Sequence, residues 1–121
     1  MERSRDPRRT WEARPRWRIA RGGAIALGPG KADLLEAIAD SGTISAAAAA
    51  LGMSYRRAWM LVAEMNHSFR APLVLTSRRR SAGAALTRDG SAVLRLYRRI
   101  ETRSLAATAA DLRALRRRLL R

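Results

Sequence analysis

Cysteine is absent from the 121 residues, which excludes disulfides, thiol nucleophiles and thiolate metal sites. Histidine occurs once, at His67, and no metal-ligand spacing or nucleophile constellation surrounds it. No glycine-rich loop of the phosphate-cradling kind is present either, so catalysis is not expected. Acidic residues number 10 against 25 lysines and arginines, and aromatic residues make up only 5%. No apolar run approaches the ~20 residues needed to cross a bilayer. The amino end is polar and arginine-rich, unlike a signal peptide, and Glu2, Asp6 and Glu12 argue against a transit peptide. The expectation is a soluble cytoplasmic chain of one domain with an appended helix, without membrane, metal or cofactor.

What is present is positive charge. A formal net charge of +15 does not choose a fold, but it points to a polyanionic partner. Its distribution is uneven. Residues 17–51 balance three basic side chains against three acidic ones, whereas residues 52–80 hold six arginines against the single acid Glu64. The last eleven residues add five arginines against Asp111.

The stretch Ile44 to Val62, ISAAAAALGMSYRRAWMLV, organises the rest. Counted from Ile44, apolar residues fall at Ala47, Leu51, Met53, Ala58 and Leu61, the spacing of two short helices that bury their inside faces. Ala48 is small where the helices meet, and Gly52 permits the left-handed backbone of a tight turn. The outer face of the second helix carries Tyr55, Arg56, Arg57 and Met60 after the candidate cap Ser54, with Trp59 on its flank. Such a pair predicts a helix-turn-helix whose second helix enters the DNA major groove. For Trp59, a packing role is weighed above base contact; for Tyr55 the two are even. An alanine-rich helical hairpin of a plain bundle is the bland alternative.

The flanking segments fit the same scheme. Residues 1–16 read as a disordered basic arm, either touching phosphates or merely solubilising. Trp17 to Leu27 predicts a hairpin turning at Gly22-Gly23. A helix from about Lys31 to Asp40 should bury Leu34, Leu35, Ile38 and Ala39, and a hydroxyl among residues 43–45 should cap the next. The helix opened by Ser54 should run to about Phe69 and bury Ala58, Leu61, Val62, Met65 and Phe69. Ala71-Pro72 stops it. Leu73 to Thr76 and Ala84 to Leu86 predict the two strands of a wing, with Arg78, Arg79 and Arg80 at its tip for phosphate or minor-groove contact. Thr87 should then cap a helix whose inner stripe is Val93, Leu94, Tyr97 and Ile100.

Beyond it, Leu105, Leu112 and Leu119 recur every seven residues, with Thr108 and Leu115 between, and the phase change predicts a bend or a second helix near residues 102–105. The repeat reads as a helix–helix seam joining two copies, with packing back onto the same domain as the competing account. A homodimer is expected, because it presents two reading helices about 34 Å apart. The fold class is therefore mainly α with a small β component: arm 1–16, winged helix-turn-helix 17–101 and carboxy-terminal helix 102–121.

The segments SGTISAAAAALGMSYRRAWMLVAEMN, PLV, ALTRDG and LRLYRRIE resemble the amino-terminal DNA-binding domain of the ModE family of molybdate-responsive regulators, and more distantly the winged helix of LysR-type regulators. The resemblance spans about Gly28 to Glu101. It implies a dimeric winged helix-turn-helix binding a palindromic operator. The wing departs from the pattern: it is short and arginine-rich, with Gly83 its only glycine. No oxyanion-binding domain fits within these 121 residues, so the resemblance carries over DNA binding without a molybdate site and implies a stand-alone domain.

The expected function is sequence-specific binding of double-stranded DNA in transcription regulation. Arg56, helped by Tyr55, Arg57 and Trp59, would read bases, since an arginine can bond both acceptors of a guanine edge. Arg78 to Arg80 would hold phosphates, which position the protein without reading sequence. Two alternatives stay open: a non-specific nucleoid-type nucleic-acid binder, and a DNA-binding module that docks a separate sensor partner.

Overall fold

The computed structural model describes residues 11–77 and 83–120. A two-stranded hairpin comes first, β1 (Ile19–Arg21) and β2 (Ala24–Leu27), turning through Gly22 and Gly23 at φ +57° and +84°. Positive φ at both central positions matches the right-handed twist of the strands, which is why the sequence needs two glycines there. Arg21 pairs with Ala24 and Ala20 with Ile25; the register then slips, so that Ile19 faces Leu27.

Three helices form the centre: α1 (Pro29–Ser41), α2 (Ile44–Ala50) and α3 (Tyr55–Ser68). Pro29 sits in the first turn of α1, where its missing N–H costs nothing, so the helix starts two residues earlier than Lys31. Gly42 closes α1 in the left-handed region at φ +78°, donating its N–H to Ile38 O at 2.9 Å. Thr43 Oγ1 accepts the N–H of Ala46 at 3.0 Å and caps α2; Ser54 Oγ accepts that of Arg57 at 3.1 Å and caps α3. Gly52, at φ +68°, turns the chain between them.

The core is made where these helices meet. Ala32, Leu34, Leu35, Ile38, Ala47, Ala58, Met65 and Leu73 are fully buried, with Ala48 and Val62 nearly so. Alanines at 47, 48 and 58 let the helix axes approach, which a larger side chain would prevent. Some expected positions differ. Ala39 and Leu51 are exposed, and Leu61, Phe69, Val93 and Leu94 are only partly buried against the core. Leu51 leaves the α2 stripe because it occupies the cap (φ −98°, ψ +1°), where its side chain no longer follows the helix. The α1 stripe takes Ala32 in place of Ala39. It also buries the stem of Lys31, whose ammonium donates to Ile25 O at 2.5 Å.

The strands β3 (Val74–Thr76) and β4 (Ala84–Leu86) pair antiparallel, Val74 opposite Leu86 and Thr76 opposite Ala84. Asn66 on α3 ties this ribbon to the core: Oδ1 accepts the N–H groups of Leu73 and Val74 at 2.8 and 3.1 Å, and Nδ2 donates to Val74 O at 3.0 Å. On the other strand, Ala84 N–H donates to Gly42 O at 2.8 Å.

Helix α4 (Arg88–Ala107) starts from Thr87, which accepts the N–H of Gly90 at 2.9 Å and donates its hydroxyl proton to Pro72 O at 2.7 Å. Gly90 packs so tightly on Leu73 that a β-carbon there would collide with its carbonyl. Tyr97 is the largest fully buried side chain; its hydroxyl donates to Trp17 O at 2.9 Å, and burial raises its pKa. Ile100, expected inside, is 39% exposed. The break comes at Thr108 rather than at 102–105, and α5 (Ala109–Arg116) follows. Thr102, Ser104 and Thr108 donate their hydroxyls to the carbonyls four residues back, a pattern that loosens and bends a helix end. Residues 11–16, read from sequence as part of the arm, adopt no regular structure but lie beside α4 and α5. There Arg116 stands 5.6 Å from the centre of the Trp11 ring, and Trp17 Nε1 donates to Ser104 Oγ at 2.7 Å.

Candidate nucleic-acid interface

Helix α3 presents two faces of opposite character. Ala58, Val62 and Met65 are buried, which at 100° per residue turns Arg56, Met60, Ala63 and His67 away from the core. Arg56 and Arg57 are exposed in the first turn, and neither makes an ion pair among the described residues. Tyr55 is partly buried against the core. Ser54 is exposed, but its oxygen is engaged as the helix cap. Met60 is 51% and Trp59 47% exposed. Trp59 is therefore not a core residue but stands half exposed on the shoulder of the helix.

The structure adds a residue the sequence reading did not single out. Glu64, the lone acid of α3, lies beside the outer face and pairs with the buried ammonium of Lys31 at 3.1 Å. The carboxylate is thus drawn toward α1 and its charge balanced, which leaves the outer face positive. The available signal was the position of Lys31 on the apolar arc of α1, one turn before Leu34 and Leu35.

The wing strands begin next to α3 through Asn66, so the ribbon and the helix form one surface. Arg78, Arg79 and Arg80 lie outside the described residues. Leu105 and Leu112 line a groove of about 370 Å³ together with residues 13–18. Leu115 and Leu119 are 57% and 52% exposed, Leu119 beyond the end of α5. The four leucines therefore do not form one seam along a straight helix; the break at Thr108 divides them. Among the described residues no group of three or more potential ligands could hold a metal ion, and no helix is long and apolar enough to cross a membrane.

Residues 31–91, which run from α1 into α4 and amount to 61 of 121, match the family model of bacterial regulatory helix-turn-helix proteins of the LysR family. The chain belongs to that family. This LysR-family domain is also 40% identical over 78 residues to the molybdenum-pterin-binding protein MopA of Rhodobacter capsulatus, covering 63% of the chain and 29% of MopA. Over 71 residues it is 41% identical to the DNA-binding transcriptional dual regulator ModE of Escherichia coli K12, 57% of the chain and 27% of ModE. It thus spans less than a third of the length of these curated relatives. Among solved structures, the DNA-binding domain of CbnR in complex with DNA superposes with a TM-score of 0.56 at 27% identity, covering 74% of this chain and 97% of that one. Full-length CbnR complexed with its target DNA gives 0.54, also at 27% identity, over 70% of this chain and 28% of that one. The resemblance to ModE and LysR-type regulators is borne out, as is the winged helix-turn-helix fold.

Proposed function

We propose that the domain, residues 17–101, binds operator DNA with α3 in the major groove, and that residues 102–121 join two copies on a two-fold symmetric site. The observation that carries this reading is the outer face of α3. Arg56 and Arg57 project from a turn fixed by the Ser54 cap, without an ion pair among the described residues, on a helix whose other face buries Ala58, Val62 and Met65. A guanidinium so held forms bidentate bonds to a guanine edge, worth ~1–3 kcal/mol of discrimination against a wrong base. Arg78, Arg79 and Arg80 contact phosphates in this reading, so Arg79→Ala weakens binding to all duplexes about equally.

Self-association is supported by the apolar side chains left in water on α4 and α5 and just beyond them, among them Leu96, Ile100, Leu115 and Leu119. Sedimentation at micromolar concentration is expected to give twice 13.4 kDa, and a particle of single mass without DNA would count against the dimer. The protein works where the DNA is, in the cytoplasm.

The deciding experiment exposes the protein to fragmented genomic DNA at ~150 mM salt, near physiological ionic strength, and sequences the retained fragments. A few sharp peaks sharing a two-fold symmetric motif are expected. An even spread that vanishes with added salt would replace this reading with non-specific, nucleoid-type binding. Co-purification of a second polypeptide on the carboxy-terminal helices would support a separate sensor partner.

A further inference from the structure

The outer face of α3 carries arginines, suited to guanine, and no side-chain amide suited to adenine. Adenine is read by the paired donor and acceptor of an Asn or Gln amide. The one such amide on α3, Asn66, is turned to the ribbon, where it bonds Leu73 and Val74. Ser54 caps the helix and Ser68 donates its hydroxyl to Glu64 O at 2.8 Å, so neither is poised at a base. What the helix holds out instead is apolar. Met60 is half exposed on the face opposite Ala58, Val62 and Met65, one turn along from Arg56. The one apolar feature on the floor of the major groove is the 5-methyl group of thymine.

We propose that Met60 reads thymine through that methyl group, making α3 a guanine-and-thymine reader. The inference rests on α3 occupying the major groove, as set out above. Met60 and Arg56 are four residues apart, a rise of about 6 Å, so the thymine lies within about two base pairs of the guanine that Arg56 bonds. Methionine suits the task because its unbranched, polarizable side chain adapts to an irregular apolar surface.

The test uses the full chain and a random-sequence library of unmethylated duplex, in which thymine is the only base with this methyl. Binding sites are selected, and the guanine whose identity ceases to matter in Arg56→Ala is located. Each neighbouring thymine is then replaced by deoxyuridine, which removes the methyl and nothing else, and affinity is measured by fluorescence anisotropy. One thymine within about two base pairs should show a loss of about fourfold, the value of burying one methyl-sized group. In Met60→Ala, which is exposed and leaves the fold intact by circular dichroism, the thymine-to-uracil ratio should fall to about one. The inference is overturned if no thymine lies in that window, if uracil substitution has no effect there, or if Met60→Ala keeps the ratio. Failure to select any motif is a different result: it would remove sequence-specific reading itself.

Discussion

Two arginines on neighbouring parts of the molecule live in opposite surroundings. Arg98, on α4, bonds Asp33 at 2.9 Å and Glu101 at 3.0 Å, with Glu36 at 3.4 Å from its Nε. Burial alone would lower its pKa, but the hydrogen bonds it donates to Asp33 and Glu101 outweigh this and raise it. Arg56, on α3, is exposed and has no carboxylate partner among the described residues. The net charge of +15 counts both alike, yet only the second kind can meet a polyanion. Four of the acids, Asp33, Glu36, Glu101 and Glu64, neutralise the structural cations Arg98 and Lys31 and so leave Arg56 and Arg57 to solvent. Fold and binding thus use the same residue type on different faces.

The comparison breaks most visibly with salt. If the exposed arginines bind phosphates, a dimer touching about 6–10 of them should lose ~10³–10⁵ in affinity between 50 and 200 mM salt, while thermal stability hardly moves. A flat titration would mean that the outer-face arginines do not meet DNA. Next in size, Arg56→Ala should narrow the gap between operator and random duplex by ~1–3 kcal/mol and change stability by less than ~0.5 kcal/mol. Competition binding and thermal unfolding on one preparation check both halves.

Arg98→Ala should behave the other way round. It leaves three carboxylates facing each other at the α1–α4 contact, and about 1 kcal/mol of stability should go, with the operator-to-random ratio kept. Because the folded pKa of Arg98 is raised, its contribution is complete below the unfolded value and lost only in strong alkali. Protonation of this group should therefore add no slope to stability between about pH 5 and 9. The smallest effect belongs to Lys31→Met. It releases Glu64 beside the outer face and should weaken DNA binding about two- to threefold, with Glu64→Gln restoring it in the double variant. If the double variant stays weak, Glu64 is not the cause.

Much of the scaffold was legible from the chain alone. Gly22-Gly23, Gly52, Thr43, Ser54 and Thr87 are local signals: each acts within three or four residues, and each turn or cap stands where its chemistry demands. The faces of α3 were legible too, because a helix with one buried stripe has one opposite stripe. Harder to foresee were positions decided by distant partners. Lys31 reads as a surface lysine until Ile25 and Glu64 are brought to it by folding. Asn66 reads as an ordinary helix residue until the chain returns at Leu73. The break at Thr108 depends on the summed pull of three hydroxyls, each weak, against an otherwise favourable helix, and the expected bend fell a few residues early. Trp59, weighed from the sequence as a core or shoulder residue, is half exposed at the flank of α3, a position that its spacing from Ala58 and Val62 already implied.

Asn66 has one more consequence. Val74 turns both its N–H and its carbonyl away from β4, and the carboxamide of Asn66 meets the two of them with one acceptor and one donor. A side chain thereby takes the position that a neighbouring strand would hold, for the length of one residue. Two-stranded ribbons are ready templates for the edge of another chain, and a crowded, weakly paired ribbon invites aggregation. Here the inner margin of the ribbon is already occupied, and any further strand would first have to displace an amide held by three hydrogen bonds.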